Sequence, residues 1–305
     1  MAIVGTFQND TLLSGTEADL MQGLDGDDLL DGGLGADTLD GGNGDDTLNG
    51  GDGNDRVEGG QGDDLLFGMA GDDTIQAGAG ADLVYGGSGA NAVFGDLGAD
   101  TMFGGSNADT MSGGADDDSV AGGAGADALD GDAGNDALNG GTGADTLSGG
   151  DGNDTLTGGG GAGDRLFGGA GDDFLAAEGL ANEVATLRGG DGNDAILIGL
   201  GSEQIDGDAG DDRFTVRGAV NSGTHVSGGA GHDVLAVETV GNLALNFIDG
   251  VEAVVVRGGA AQFNISLADN AVATGERFSA SFDASFDGAA SRLSFDGSAV
   301  EAGIE

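Results

Sequence analysis

Large apolar residues recur every nine positions along the first half of this chain. When nonapeptide units are counted from Gly5, the register holds without a break to Thr157 and gives 17 units. The sixth residue is Asp in every unit except one, where it is Asn91. This pattern predicts a short strand around each eighth residue, whose side chain is buried while its two neighbours point outward. The eighth residue is apolar in all 17 units: Leu12, Met21, Leu30, Leu39, Leu48, Val57, Leu66, Ile75, Val84, Val93, Met102, Met111, Val120, Leu129, Leu138, Leu147 and Leu156.

Each unit follows the pattern G-G-x-G-x-D-x-U-x, in which U is a large apolar residue. The loop glycines can adopt positive φ, so the chain can turn tightly. We interpret each unit as a six-residue loop and a three-residue strand, and each loop carries the chain to the opposite side. Two units then make one turn of 18 residues, and strands one turn apart pair in parallel. The predicted fold is all-β, a parallel β-solenoid or β-roll of stacked nonapeptides.

The nine-residue period loosens after Thr157. One extra residue enters at 158–167, and twelve-residue units at 177–188 and 216–227 indicate enlarged loops. After Ala236 the glycine pattern stops, although β-rich segments continue. We therefore predict three regions, which are a regular roll over 1–176, its irregular continuation with enlarged loops over 177–236, and a β-rich C-terminal flank or cap over 237–305.

Composition and charge restrict the possible partners. The 305 residues include 69 Gly and no Pro, Cys or Trp, and 55 acidic against 8 basic residues give a net charge of −47. Such chains are usually disordered, but the regular placement of Gly and Asp argues against disorder here. The charge excludes nucleic acid as a natural partner, since phosphates require positive charge. No apolar run approaches the length of a transmembrane helix, so we expect no membrane insertion, and the lack of Cys excludes disulfides and zinc–thiolate sites.

The turn of two units stacks the sixth-position carboxylates in two columns, where they repel one another unless cations lie between them. The available donors are carboxylate and loop carbonyl oxygens, which suit Ca²⁺ better than Zn²⁺, copper or Mg²⁺. We therefore predict multiple Ca²⁺ ions as the cofactor. The candidate carboxylate ligands are Asp10, Asp19, Asp28, Asp37, Asp46, Asp55, Asp64, Asp73, Asp82, Asp100, Asp109, Asp118, Asp127, Asp136, Asp145, Asp154, Asp173, Asp194, Asp212 and Asp233. The candidate carbonyl ligands include those of Gly41, Gly42, Gly44, Gly59, Gly60, Gly62, Gly149, Gly150 and Gly152.

Tandem units such as GGDGNDTLT and GGQGDDLLF resemble the RTX (repeats-in-toxin) haemolysin-type calcium-binding nonapeptide repeat. The resemblance covers residues 5–236. It implies a right-handed parallel β-roll in which each Ca²⁺ lies between adjacent loops, held by the sixth-position Asp of two turns and by loop carbonyls. It also implies an extracellular protein that is secreted by the type I system of a Gram-negative bacterium and folds in external calcium. The sequence departs from the repeat at Asn91, whose site should be weaker or empty, and at Asp109 and Asp118, whose units lack the fourth glycine.

The sequence contains no recognisable catalytic constellation. Its only histidines are His225 and His232, and neither lies in an HExxH-type zinc motif. His232 occupies a variable loop position, where a solvent-exposed residue is a simpler interpretation than a ligand. Paired acids such as Asp45 and Asp46 recur turn after turn, so loop and metal roles explain them better than a glycosidase dyad. We therefore expect no enzyme activity.

Three aromatic residues at the ninth position, Phe67, Tyr85 and Phe103, are spaced one turn apart. They should form an outward-facing ladder on one face, with Phe94 alone on the other. The ladder could stabilise the sheet, or it could mediate self-association, as could the roll ends. Our main hypothesis is a secreted, calcium-folded β-roll with a structural or interaction role. The alternatives are a stabilising or secretion module of a larger secreted enzyme, and a calcium-assembled surface-layer or matrix component.

Overall fold

A computed structural model of the chain describes residues 1–177, 184–199, 201–217, 223–238, 242–256, 262–267, 279–282 and 292–295. The regular structure in these ranges is β-strand, and they contain no helix that could cross a membrane. The fold is a parallel β-solenoid, as the sequence predicted. The chain divides into two compact units, Met1–Asp154 and Thr155–Glu305.

The first unit consists of two parallel sheets, to which successive strands contribute in alternation. Odd-numbered strands form one sheet and even-numbered strands the other. The strands are β1 (Ala2–Val4), β2 (Thr11–Leu13), β3 (Leu20–Asp25), β4 (Leu29–Asp31), β5 (Thr38–Asn43), β6 (Thr47–Asp52), β7 (Arg56–Gln61), β8 (Leu65–Ala70), β9 (Thr74–Ala79), β10 (Leu83–Ser88), β11 (Ala92–Leu97), β12 (Thr101–Ser106), β13 (Thr110–Ala115), β14 (Ser119–Ala124), β15 (Ala128–Ala133), β16 (Ala137–Thr142) and β17 (Thr146–Asp151).

The second unit repeats the same alternation, including its strands after residue 237. The predicted boundaries at 176/177 and 236/237 stay predictions, and much of 237–305 lies outside the described residues. The strands are β18 (Thr155–Gly160), β19 (Arg165–Ala170), β20 (Phe174–Ala176), β21 (Thr186–Asp191), β22 (Ala195–Ile198), β23 (Gln204–Ala209), β24 (Arg213–Val216), β25 (His225–Ser227), β26 (Val234–Val237), β27 (Asn242–Asp249), β28 (Ala253–Val256), β29 (Gln262–Leu267), β30 (Ser279–Phe282) and β31 (Arg292–Phe295).

The pairing register confirms that two nonapeptides make one turn. Leu39 pairs with Val57, and Val57 pairs with Ile75, so each eighth-position residue lies beside the eighth-position residue one turn away. In the second unit Leu166 pairs with Leu187 across the first twelve-residue unit. The extra residues therefore leave the strand register intact.

Most strands are twice as long as the sequence predicted. In the regular units a strand covers six residues, as in Thr38–Asn43, so it runs through the two glycines that were assigned to the loop. The reason is that successive turns stack closely at these glycines. Gly42 has a φ of 113°, and a Cβ there would lie only 2.0 Å from the carbonyl oxygen of Leu24 on the preceding turn. The backbones pair through these positions, also where Leu24 or Met69 takes the place of the second glycine with positive φ.

Three positions of each nine-residue unit line the interior. The sixth residue, the eighth residue and the first glycine of the next unit are buried, whereas the seventh and ninth residues face outward, as around Asp46, Leu48 and Gly50. The eighth-position side chains from Met21 to Leu156 are 0–3% exposed, and Leu12 on the first turn is half-buried. Because burial follows the period of two along a strand, the acidic side chains share the inward face with the apolar core.

The predicted aromatic ladder is present on the outer face of the even-numbered sheet. The ring centroids of Phe67 and Tyr85 lie 5.3 Å apart, and those of Tyr85 and Phe103 lie 5.2 Å apart. The rings are nearly parallel, with interplanar angles of 7° and 11°. Phe94 is exposed on the odd-numbered sheet, as predicted. Self-association through the ladder stays a prediction.

Candidate metal sites

The structure places the sixth-position carboxylates in the interior, as columns that follow the turns of each unit. Asp10 and Asp19 on the first turn are half-buried. The other candidate carboxylates are only 0–3% exposed: Asp28, Asp37, Asp46, Asp55, Asp64, Asp73, Asp82, Asp100, Asp109, Asp118, Asp127, Asp136, Asp145, Asp154, Asp173, Asp194, Asp212 and Asp233. Acidic side chains are almost never buried to this extent unless they are paired, so each column requires compensation.

One oxygen of each carboxylate is held by the backbone of a neighbouring turn. The N–H of Asp46 donates to Oδ1 of Asp64 at 2.8 Å, and the N–H of Asp64 donates to Oδ1 of Asp82 at 2.7 Å. The same bond joins Asp28 to Asp46, also at 2.7 Å. These bonds orient each carboxylate and direct its second oxygen, Oδ2, toward the loop of its own unit.

That second oxygen has no hydrogen-bond partner in many of the described units, although it is fully buried. An anionic oxygen without a partner in the interior is strongly unfavourable. The fold therefore leaves positions at which a positive charge would be stabilised. The Oδ2 atoms concerned belong to Asp28, Asp37, Asp46, Asp55, Asp64, Asp73, Asp82, Asp100, Asp109, Asp118, Asp127, Asp136, Asp194, Asp212 and Asp233.

Most of these oxygens face a main-chain carbonyl of the next turn across the first-position glycine of their own unit. In the unit of Asp82 this position is Ala77, which is buried. A Cβ placed on Gly59 would lie 2.4 Å from Oδ2 of Asp64 and 2.5 Å from the carbonyl oxygen of Ala77. At Gly41 the corresponding distances are 2.4 Å to Oδ2 of Asp46 and 2.6 Å to the carbonyl oxygen of Gly59. We call this arrangement of glycine, Oδ2 and carbonyl oxygen the oxygen cradle. Its two oxygens are both acceptors, so only a cation or an added donor can satisfy both.

The cradle at Asn91 differs in one atom and shows how a donor satisfies it. Oδ1 of Asn91 accepts the N–H of Asp73 at 3.1 Å, as the Asp side chains do. Its Nδ2 occupies the place of Oδ2 and donates to the carbonyl oxygen of Gly104 at 3.4 Å. The amide thus supplies the hydrogen that the Asp cradles lack, and this cradle needs no cation. The predicted departure from the repeat at Asn91 is thus a cradle that contains a hydrogen bond where the other cradles have two acceptors.

The cradles at Asp109 and Asp118 are intact even though their units lack the fourth glycine. A Cβ on Gly104 would lie 2.5 Å from Oδ2 of Asp109, and one on Gly113 would lie 2.4 Å from Oδ2 of Asp118. The loop keeps its shape because the fourth residue is Asn or Asp with φ of 78° in both units. These residue types tolerate the left-handed conformation better than most others.

The donor set of the cradles fits a hard cation that accepts main-chain ligands. Within the part of the chain that the structure describes, no three His, Cys, Asp or Glu side chains form a group able to hold a metal. A bound ion must therefore take carbonyl oxygens as well as carboxylates. Ca²⁺ coordinates such mixed oxygen sets with flexible geometry, whereas Zn²⁺ prefers nitrogen and sulfur ligands.

The structure adds Asp164 to the sixth-position columns. Asp164 is 2% exposed, and a Cβ on Gly158 would lie 2.7 Å from its Oδ2. Sequence reasoning missed it because the extra residue at 158–167 shifts the nine-residue count. Counting backward from Leu166, the buried apolar residue of the unit, would have found it.

Glu203 occupies a sixth position but does not form a cradle of the same kind. It is 2% exposed, and its Oε1 accepts the N–H of Gly201 at 3.1 Å. Its Oε2 lies 3.4 Å from Oγ1 of Thr224. Both oxygens have partners, so burial alone does not identify a metal site. His232 is exposed, as predicted.

Burial raises the pKa of the cradle carboxyls in the metal-free fold. The pKa of Asp64 and of Asp136 rises from 3.8 to about 7, first because the group is buried and then because neighbouring carboxylates repel its charge. For Asp46 and Asp82 burial raises the pKa to about 6. Backbone hydrogen bonds oppose the shift but do not outweigh burial. Protons and calcium therefore compete for the same oxygens near neutral pH.

Lowering the pH from 8 to 5.5 is expected to weaken calcium binding, because a carboxyl must lose its proton to coordinate the ion. Below the raised pKa of about 6 to 7, the calcium midpoint should rise by up to roughly tenfold per pH unit for each proton that a bound ion displaces. In EDTA, by contrast, a lower pH should stabilise the fold. Because the folded pKa lies above the unfolded value, the metal-free fold is favoured at acidic pH and loses that stability as pH rises through 6 to 7. Circular dichroism with EDTA and with calcium at both pH values tests this, and a calcium midpoint independent of pH contradicts it.

Comparison with known proteins identifies a family for this chain. The model of the RTX calcium-binding nonapeptide repeat, four copies long, matches residues 4–39, 32–66, 40–75, 67–102, 103–138, 130–163 and 159–179. A search of curated proteins found no match. Among solved structures, a hyperactive, Ca²⁺-dependent, β-helical antifreeze protein from an Antarctic bacterium is 24% identical over 85% of this chain and 83% of that chain, with a TM-score of 0.36.

The family matches overlap or adjoin one another from residue 4 to residue 179, which is more than half of the 305 residues. They contain most of the cradles described above, and the repeat they represent binds calcium. This chain therefore belongs to the family of proteins built from RTX calcium-binding nonapeptide repeats.

Proposed function

We propose that this chain is a secreted, non-enzymatic β-roll that Ca²⁺ folds into a structural or interaction module. The observation that carries the proposal is the oxygen cradle, in which a buried, partnerless Oδ2 faces a carbonyl oxygen of the next turn. Bound Ca²⁺ supplies the positive charge that both acceptors require. The residues that hold it are the sixth-position Asp side chains and the loop carbonyls.

The overall charge supports calcium as a component of the fold. A chain with a net charge of −47 is expanded by its own repulsion. Ions bound along the carboxylate columns remove this repulsion where it is strongest, so their binding energy becomes folding energy. Extracellular calcium modules typically bind at about 10⁻⁴–10⁻³ M, and sites of that strength fill outside the cell. This favours the extracellular location and the type I route that the family resemblance implies.

The outward faces of the roll support a role in interaction. In the first unit the seventh and ninth residues form regular outer surfaces, and the stacked Phe67, Tyr85 and Phe103 lie on one of them. Tyr85 and Phe103 are 38% and 39% exposed. Exposed aromatic edges in a row favour, as a second candidate, a calcium-assembled matrix component in which rolls contact one another.

Exchanging the residues at positions 64 and 91 tests the proposal. Asp64→Asn is expected to lower the number of bound Ca²⁺ ions, because the new amide should donate to Ala77 as Asn91 donates to Gly104. Asn91→Asp is expected to add an ion by restoring two acceptors in the cradle. Native mass spectrometry of the full chain counts the ions directly.

The matched control is Asp63→Asn. Asp63 is the exposed neighbour of Asp64, and its Oδ1 accepts the N–H of Ala81 at 2.9 Å. The control changes the net charge by the same amount and can keep this hydrogen bond. If D63N and D64N bind equal numbers of ions, the cradle does not hold calcium.

A further inference from the structure

The last nonapeptide, at 228–236, carries a cradle whose next turn lies outside the repeat. Asp233 is 0% exposed, and its Oδ2 has no hydrogen-bond partner. A Cβ placed on Gly228 would lie 2.5 Å from this Oδ2 and 2.2 Å from the carbonyl oxygen of Gly250. These contacts reproduce the cradle of the regular units. Gly250, however, follows the eight-residue strand β27 and belongs to no nonapeptide.

Glu252 supplies the carboxylate that the next turn would otherwise provide. The N–H of Asp233 donates to Oε2 of Glu252 at 2.7 Å. In the regular part of the column the N–H of Asp194 donates to Oδ1 of Asp212 at 2.8 Å in the same way. Glu252 immediately precedes β28, which pairs with β26 just after Asp233. Its carboxylate therefore stands at the sixth position of the following turn.

We propose that Glu252 and the carbonyl of Gly250, both outside the repeat, complete a Ca²⁺ site with Asp233 of the last nonapeptide. This proposal rests on the proposed function, since it applies the same cradle chemistry to residues outside the repeat. The family matches end at residue 179, and the local sequence IDGVEAVVV contains no GGxGxD motif. The site joins the last nonapeptide to the β-structure that follows, so calcium there would stabilise the transition.

The neighbouring column of the same unit shows that a buried acid at this register is not sufficient. Its successive sixth positions are Ala185, Glu203 and Thr224, each directly before a strand of the odd-numbered sheet. Ala185 has no ligand atom in its side chain, and both oxygens of Glu203 have polar neighbours. Asp233 differs because its Oδ2 is buried, partnerless and opposite a carbonyl.

The test compares Glu252→Gln and Asp233→Asn with Glu203→Gln as the matched control. Gln at 252 keeps an acceptor for the N–H of Asp233 but removes the charge. Since ligand charge tunes calcium affinity, we expect one ion fewer for E252Q in native mass spectrometry near the calcium midpoint. The backbone amides of residues 228–237 should then require roughly tenfold more calcium to be protected from hydrogen exchange. D233N should also bind fewer ions, and E203Q should match the wild type.

The outcomes separate this site from the general proposal. If D64N and D233N each lose an ion but E252Q keeps the wild-type count and midpoint, Glu252 does not complete the terminal site while the repeat sites stand. If D64N and D63N bind equally, the proposed function itself fails. An E203Q chain that loses an ion as E252Q does would also overturn the assignment, because the loss would then follow any buried acid in this unit.

Discussion

Removing calcium from this protein is expected to abolish most of its β-structure. In EDTA the buried Oδ2 atoms keep their charge without a partner at pH 8, and the net charge of −47 expands the chain. Far-UV circular dichroism should therefore show a coil spectrum, and the Stokes radius should be that of an expanded chain. Adding Ca²⁺ should restore the β spectrum cooperatively at about 10⁻⁴–10⁻³ M, the range of extracellular calcium modules.

Magnesium is the control for this transition. Mg²⁺ carries the same charge but requires octahedral geometry and retains its waters, so equal concentrations should not restore the fold. Sodium chloride at matched ionic strength measures how much screening alone contributes. A full β spectrum in EDTA at pH 8 would contradict calcium-dependent folding, since the apolar columns would then be sufficient by themselves.

The second large effect is expected from Gly53→Ala. Gly53 has a φ of 151°, and the new Cβ would lie 1.3 Å from the carbonyl oxygen of Gly35 on the preceding turn. That distance is far inside van der Waals contact, so the methyl group would push the two turns apart. Overpacking alone typically costs about 1–3 kcal/mol, and the strained backbone adds about 1–3 kcal/mol. We expect unfolding in calcium to become easier by about 3 kcal/mol or more, measured by denaturant titration.

Gly15→Ala is the matched control, because nothing lies within 4 Å of a Cβ at Gly15. Its effect should stay within about 0.5 kcal/mol, as for most surface substitutions. The damage from G53A should also be local, because each turn of a solenoid contacts only its neighbours. Hydrogen exchange should increase in the turns around residue 53 and remain unchanged in the second unit. Equal stability of the two variants would mean that the close approach of the turns at Gly53 does not require glycine.

The period of the sequence was sufficient to predict the architecture and the columns. The eighth residue of each nine-residue unit is apolar and the sixth is Asp in all the regular units but one, so residues two units apart were expected to pair, as they do. Burial of both follows from the period of two along a strand. The charge of the columns and the all-oxygen donor set then led to calcium. These inferences depend on local, repeated patterns, which a single sequence displays in full.

Other features depend on contacts between turns, and only the tertiary structure decided them. Strands extend through the first glycines because the backbones of successive turns also pair there. Asn91 satisfies its cradle by donating to Gly104, thirteen residues away in sequence. Asp164 and Glu252 enter the columns although insertions shift them out of the nine-residue count. Spacing in the sequence measures distance along the chain, whereas a cradle is formed by residues of neighbouring turns. Where a turn has an irregular length, its ligands can therefore be identified only from the folded structure.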